Sequence, residues 1–256
     1  MSEKPSRKSV VRLARGALDA LLDWFYPRHC YHCGASLNES ALRLLCHDCL
    51  RALADGRIAG PVCDVCGLPL EGEPAPGTLC ITCRTQRRYF DRARALFAYA
   101  GPAASVIKSF KFDGDFFLGP RFLRGALALG WLPGDIAPPS AVLPVPLHPR
   151  RRRERGYDQA LLLARALARH FGRPLLGRAL VRTRYTTQQV GLSMGRRHDN
   201  VRGAFSVRRP GAISGESLLL VDDVMTTGAT VEECAKALRK AGAAEVQVFT
   251  LARTAP

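Results

Sequence analysis

The chain has 256 residues, is 47% hydrophobic and carries a formal net charge of +16. That length and apolar content allow one large domain, or a core domain with a small companion. No run of eighteen uncharged apolar residues occurs, so no membrane-spanning helix is expected.

In the first 27 residues, Lys4, Arg7, Lys8, Arg12 and Arg15 precede "ALDALLDWF". Asp19 and Asp23 interrupt the apolar part and no small-residue cleavage site follows. An amphipathic helix over roughly 9–25 is therefore expected, not an export signal.

Eight of the nine cysteines then fall in four C-x-x-C pairs: Cys30/Cys33, Cys46/Cys49, Cys63/Cys66 and Cys80/Cys83. Two residues between thiolates let both sulfurs face one ion from a tight turn, and two such pairs complete a tetrahedral four-thiolate zinc site. Gly34 and Gly67 follow the first and third pairs, as knuckle turns favour. "CYHCGASL" and "CDVCGLPL" resemble each other, as do "LCHDCL" and "LCITCR", which makes an internal repeat. The repeat favours two sequential ribbons, each a closed structural site. The spacing leaves open an interleaved pairing, with the first pair binding the third. His29, His32 and His47 read as exposed neighbours of filled sites, and Cys234 as a small core residue. Zinc thiolates and the lack of an export signal point to a reducing cytoplasm.

After residue 90, "FDRARALFAYAG" reads as strand leading into a Gly-Pro turn. "AASVIKSFKF" and "FFLGPRFLRGALALGWL" carry apolar residues at helical spacing. "AVLPVPL" (141–147) is a short buried strand with prolines at its exit. "YDQALLLARALARHF" (157–171) is a helix stopped by "FGRP". Residues 150–209 contain sixteen arginines against three acidic residues, whereas residues 1–90 hold twelve basic and nine acidic side chains. The chain has 32 Arg and only 6 Lys, a bias that G+C-rich coding would explain, but coding bias does not explain clustering. Arginine's planar fork suits phosphate, so the run "PLHPRRRRERG" is either an anion-binding loop or a solvated, nucleic-acid-facing patch. Tyr157, Phe171 and Tyr185 offer rings for base stacking. "RALVRTRYTTQQVGLSMGRRHDNVRGAF" reads as a long connection with one short helix near 193–200. "ESLLLVDDV" is a strand, "TVEECAKALRKAG" a helix capped by Gly242, and "EVQVFTLART" the last strand. Alternating strand and helix imply a parallel sheet with helices on both faces and all strand exits along one edge.

The most informative stretch is "LLLVDDVMTTGAT", Leu218–Thr230. Four apolar residues make a buried strand, and the chain is expected to leave the sheet at Asp222. A helix N-terminus follows, with unpaired N–H groups, threonine hydroxyls and a glycine, which together cradle a phosphate. Two carboxylates one step before it would repel phosphate but would accept hydrogen bonds from vicinal hydroxyls. A ribose 5-phosphate fits both halves.

The stretch resembles the signature of type I phosphoribosyltransferases, which bind phosphoribosyl pyrophosphate (PRPP). The order of four C-x-x-C pairs, "LFAYAGPAASVIKSFKFDGD", "LPVPLHPRRRRERGYDQA", "RTRYTTQQVGLSMGRRHDNVRGAF" and this signature resembles the ComF family over about residues 28–254. The resemblance implies an α/β fold: a parallel-sheet phosphoribosyltransferase-like domain at 91–256, behind a double zinc ribbon at 28–90 and the N-terminal helix at 1–27. It implies PRPP with Mg²⁺ as ligand and two structural Zn²⁺. Asp222 and Asp223 would hold the ribose hydroxyls directly or through Mg²⁺, as the catalytic pair. Thr226, Thr227, Gly228, Ala229 and Thr230 would hold the 5-phosphate. His148, Arg152 and Arg155 would form the pyrophosphate loop, and Gln188, Arg196, Arg197 and Asn200 the loop that closes over PRPP. The family is bacterial and associated with competence, the handling of incoming single-stranded DNA, so other DNA-uptake or recombination proteins are expected partners. The phosphoribosyl acceptor is not legible. Enzyme, nucleic-acid-binding module with a relic site, and PRPP-switched regulator all stay open at this point.

Overall fold

A computed structural model describes residues 29–37, 44–184 and 201–254. The helix expected over 9–25 and the closing-loop residues Gln188, Arg196, Arg197 and Asn200 lie outside those ranges, as does Tyr185.

Four parallel strands form the central sheet: β1 (Arg92–Ala98), β2 (Ala141–Pro144), β5 (Ser217–Met225) and β6 (Glu245–Arg253), in the order β1-β6-β5-β2. Between them run α3 (Gly101–Phe112), α4 (Leu118–Ala128), α5 (Pro149–Arg155), α6 (Gln159–Phe171) and α7 (Ala229–Lys240). Successive strand residues face opposite ways, and the two cores follow that rule. Leu219 and Val221 of β5 join Phe249 and Leu251 of β6 in a core shared with α3, α4 and α6. Leu218 and Leu220 join Val246 and Val248 in a second core shared with α7. Helices on both faces are the outcome that the strand–helix alternation anticipates.

Three local expectations shift. "Gly-Pro" at 101–102 opens α3 instead of making a turn, because proline is preorganised for the first helical positions. Gly242 lies one residue beyond the last cap of α7, which is Ala241. The long connection is not wholly irregular: β3 (Leu180–Arg182) pairs antiparallel with β4 (Phe205–Val207).

The N-terminal half is bound to the sheet, not appended to it. Helix α1 (His47–Asp55) and a single turn, α2 (Ile81–Thr85), begin inside the second and fourth cysteine pairs, with Cys46 and Cys80 at their N-caps. Cys30, Cys49 and Leu53 belong to the first core, while Cys63, Cys66, Cys80 and Cys83 belong to the second. The ribbon backbone covers the free edge of β1. Ile58 N–H donates to Leu96 O at 2.9 Å, Ala98 N–H to Gly56 O at 3.0 Å, and Ala93 N–H to Val65 O at 2.7 Å. An edge strand that would otherwise invite pairing is closed in this way.

Both knuckles use the same turn. Gly34 N–H donates to Cys30 O at 3.0 Å and Gly67 N–H to Cys63 O at 2.8 Å, with φ of 77° and 67°. Their surroundings differ. A Cβ on Gly67 would stand 2.3 Å from Ala93 O, whereas nothing lies within 4 Å of one on Gly34. Gly67→Ala is therefore expected to lose about 2–4 kcal/mol of stability and Gly34→Ala only about 1. Equal melting temperatures for the two variants would contradict this packing.

Candidate functional site

Each zinc set is assembled by sequential pairs. The sulfurs of Cys30, Cys33, Cys46 and Cys49 lie within 4.8 Å of one another, as do those of Cys63, Cys66, Cys80 and Cys83. This settles the open pairing: the interleaved alternative does not occur. Cys33 Sγ and Cys46 Sγ are 3.6 Å apart, and Cys66 Sγ and Cys80 Sγ 3.7 Å. A tetrahedron with bonds of about 2.3 Å has edges of about 3.8 Å, so both sets fit zinc. The flanking His29, His32 and His47 are exposed, as expected, and His32 Nδ1 lies 2.9 Å from Ser105 Oγ on α3.

A cleft of about 620 Å³ opens at the carboxyl ends of β2 and β5. The sheet makes it by ending unevenly. β2 stops at Pro144, opposite Val221, while β5 continues through Asp222–Met225 paired only to β6. The strand thus does not end at Asp222 as expected; the carboxylates stand on a rigid strand with one side uncovered. Successive residues leave opposite faces of the strand, but at this uncovered end both carboxylates line the cleft. Asp223 is buried and meets Lys111 Nζ of α3 at 2.8 Å. Asp222 accepts the Asp223 N–H on Oδ1 at 2.9 Å. Burial, and then the neighbouring Asp223 carboxylate, push the Asp222 carboxyl up to about 8. Burial works against the Lys111 ammonium, but Asp223 outweighs it and the net shift is upward.

Past Met225 the chain turns at Gly228, with φ of 82°, directly into α7. Thr226, Gly228, Ala229 and Thr230 line the cleft. Thr227 is half-buried and not among the lining residues; its Oγ1 accepts the Ala229 N–H at 3.4 Å. The dipole of a twelve-residue helix adds positive potential there.

Opposite stands the arginine run, which folds as α5. Arg155 lines the cleft, together with Arg151 and, from β3, Arg182. His148 and Arg152 are not among the lining residues. His148 caps α5, its Nδ1 accepting the Arg150 N–H at 3.2 Å, and burial with the surrounding arginines lowers its pKa. Asp158 caps α6 at the cleft wall, accepting the Leu161 N–H at 3.0 Å, and burial raises its pKa. Tyr157 and Phe171 pack against the first core, so neither is a free stacking surface.

Lys108 and Lys111 were not singled out from the sequence, yet both line the cleft. A signal existed: in a chain with six lysines and 32 arginines, two lysines stand one helical turn apart in "KSFKF". Arg182 was likewise hidden in a stretch without periodicity.

No helix among the described residues is long and apolar enough to cross a membrane. Two family models match: a double zinc ribbon domain over residues 21–84 and a phosphoribosyl transferase domain over 158–255. A solved glutamine PRPP amidotransferase from B. subtilis, complexed with ADP and GMP, overlaps only partially. It is 25% identical at a TM-score of 0.32, over 46% of this chain and 23% of that one. The DNA utilization protein YhgH of Escherichia coli O157:H7 is 34% identical over 82% of this chain and 90% of its own. Competence protein F of Haemophilus influenzae is 34% identical over 90% of this chain and 98% of its own. With a relative 34% identical over 90% of this chain, and with a double zinc ribbon model and a phosphoribosyl transferase model both matched, the chain belongs to the ComF family of proteins, which join a double zinc ribbon to a phosphoribosyltransferase domain.

Proposed function

We propose that the cleft binds PRPP with Mg²⁺ and transfers its phosphoribosyl group, and that the protein serves the handling of single-stranded DNA in competence. The observation that carries this is convergence: Asp222 and Asp223, the α7 N-terminus, and the cations Lys111, Arg151, Arg155 and Arg182 face one cavity. The N-terminus of α7, with Thr226, Gly228, Ala229 and Thr230, receives the 5-phosphate. Asp222 and Asp223 take the ribose hydroxyls, and the arginines take the pyrophosphate bidentately. The donor set fits a hard cation, since two carboxylates share the site and one already holds an ammonium. Mg²⁺, when bound, supplies charge neutralisation to the pyrophosphate. In the transfer, an acceptor lone pair forms a bond to the anomeric carbon. The bond from that carbon to pyrophosphate oxygen breaks, and the oxygen leaves with the electron pair. The acceptor's proton goes to solvent. Lys111, Arg151, Arg155 and Arg182 stabilise the departing charge. We take residues 28–90 as the ribbon unit and 91–256 as the transferase-type domain, preceded by the segment 1–27.

Calorimetry with PRPP and Mg²⁺ tests this reading. Micromolar binding by the parent is expected, weakened at least about a hundredfold in Asp222→Asn/Asp223→Asn. Absence of binding by a zinc-loaded parent refutes it.

A second reading rests on arginines that the cleft does not use. Arg152, Arg153, Arg202, Arg208 and Arg209 are exposed, and their phosphate contacts would hold a single strand with PRPP as regulator. Steep loss of oligonucleotide affinity with salt, shifted by PRPP, is the signature of that arrangement.

A further inference from the structure

Large apolar side chains left in water gather at the corner between α3 and α4: Phe112 is 67% exposed, Phe116 44% and Phe117 62%. Such a cluster in an otherwise polar surface marks a contact site. Phe112 lines the cleft and follows Lys111, the residue that holds Asp223. The Arg155 guanidinium lies 5.5 Å over the Phe112 ring, and the Phe116 and Phe117 rings are 4.1 Å apart. The corner is braced. The Tyr31 hydroxyl, beside zinc ligand Cys30, donates to Asp115 Oδ2 at 2.7 Å, and Asp115 Oδ1 accepts the Phe117 N–H at 3.2 Å.

We propose that Phe112 is the platform on which the acceptor stacks, and that the acceptor is a free planar nitrogen heterocycle of nucleobase size. The stacking stands on the corner itself; the direction of the ring toward an anomeric carbon rests on the phosphoribosyl reading above. An aromatic face with a guanidinium beside it holds a flat π system. A cationic acceptor would be repelled by Lys108, Lys111 and Arg155, which line the same wall. Asp113 on the lip can accept a ring N–H and so read the edge. A base within a strand already carries its sugar on the nitrogen that must attack, which favours the free base. The first zinc ribbon acquires a task here: through Tyr31 it fixes the corner that presents the platform.

The fluorescent base 2-aminopurine reports stacking by quenching. Titration onto the full, zinc-loaded protein is expected to quench it saturably. Phe112→Ala and Phe112→Leu are expected to weaken that binding about tenfold or more, and Phe112→Tyr to retain it. Zinc content and circular dichroism of each variant verify the fold, and Leu keeps the apolar bulk should Ala disturb it. No quenching by the parent, or equal quenching by Ala and Leu variants, overturns the platform. Quenching of an oligonucleotide carrying 2-aminopurine, but not of the free base, also overturns it, in favour of a strand. PRPP calorimetry on the same parent separates the two ideas: Phe112-dependent quenching without PRPP binding sinks the phosphoribosyl reading and leaves the platform standing.

Discussion

Cys66→Ser is expected to yield protein with one zinc per chain and a melting temperature lower by roughly ten degrees or more, or no soluble protein at all. Cys33→Ser is expected to lose one zinc too, with a smaller fall in melting temperature. The asymmetry comes from what each site supports. In the second site all four cysteines are buried, whereas Cys33 is exposed. Two buried arginines of the sheet end on the second ribbon's carbonyls. Arg94 of β1 reaches Cys63 O at 3.5 Å while pairing with Asp135 at 2.5 Å, and Arg253 of β6 donates to Cys66 O. Loss of that ribbon strands two buried guanidiniums and uncovers the β1 edge at Ala93. A structural zinc contributes an apparent ~10–16 kcal/mol at neutral pH, comparable with the whole stability of a domain at ~5–15. Metal content by mass spectrometry and thermal melts decide the matter. Cys66→Ser protein that holds one zinc but melts with the parent would show that the second ribbon is an appendage.

Asp222→Asn is expected to make the ligand-free protein more stable and useless for PRPP. The carboxyl sits at about 8 when folded against an ordinary value of 3.8. The folded state therefore keeps a proton that the unfolded chain releases above about pH 4. This group's contribution to stability is full below that pH and is lost as pH rises through about 8. Asparagine does not titrate, so the variant's advantage should be smallest near pH 4, grow steadily as pH rises, reach on the order of a few kcal/mol near pH 8 and level off above it. Melts of parent and variant across that range provide the check; curves that stay parallel would mean that Asp222 is not strained by its surroundings. Asp223→Asn should do the reverse at all these pH values, because it leaves the Lys111 ammonium without its partner at 2.8 Å. A site whose charges resist one another without ligand is consistent with cationic and hydroxyl-bearing ligands completing it.

Much of this was written locally. Four C-x-x-C pairs repeat at near-constant spacing because each knuckle is a turn of a few residues, and chelation by a turn needs only neighbours in sequence. The strands β5 and β6 and the helices α6 and α7 announced themselves by apolar runs and caps for the same reason. "VDDVMTTGAT" was legible because a phosphate cradle is a single strand-to-helix turn. What the tertiary structure alone decided is set by residues distant in sequence. It paired the cysteines sequentially and put the two ribbons in cores on opposite faces of the sheet. It ended β2 opposite Val221, two residues short of Asp223, which opens the cleft. It drew Lys111 onto Asp223 across 112 residues of chain, and it chose Arg151, Arg155 and Arg182 from the clustered arginines among the described residues. It left Phe112, Phe116 and Phe117 in water, although they lie in stretches whose apolar residues recur at helical spacing. Spacing along a chain fixes which side chains share a face, but which faces meet is decided by how parallel strands stagger and by where the ribbons close the sheet's edge.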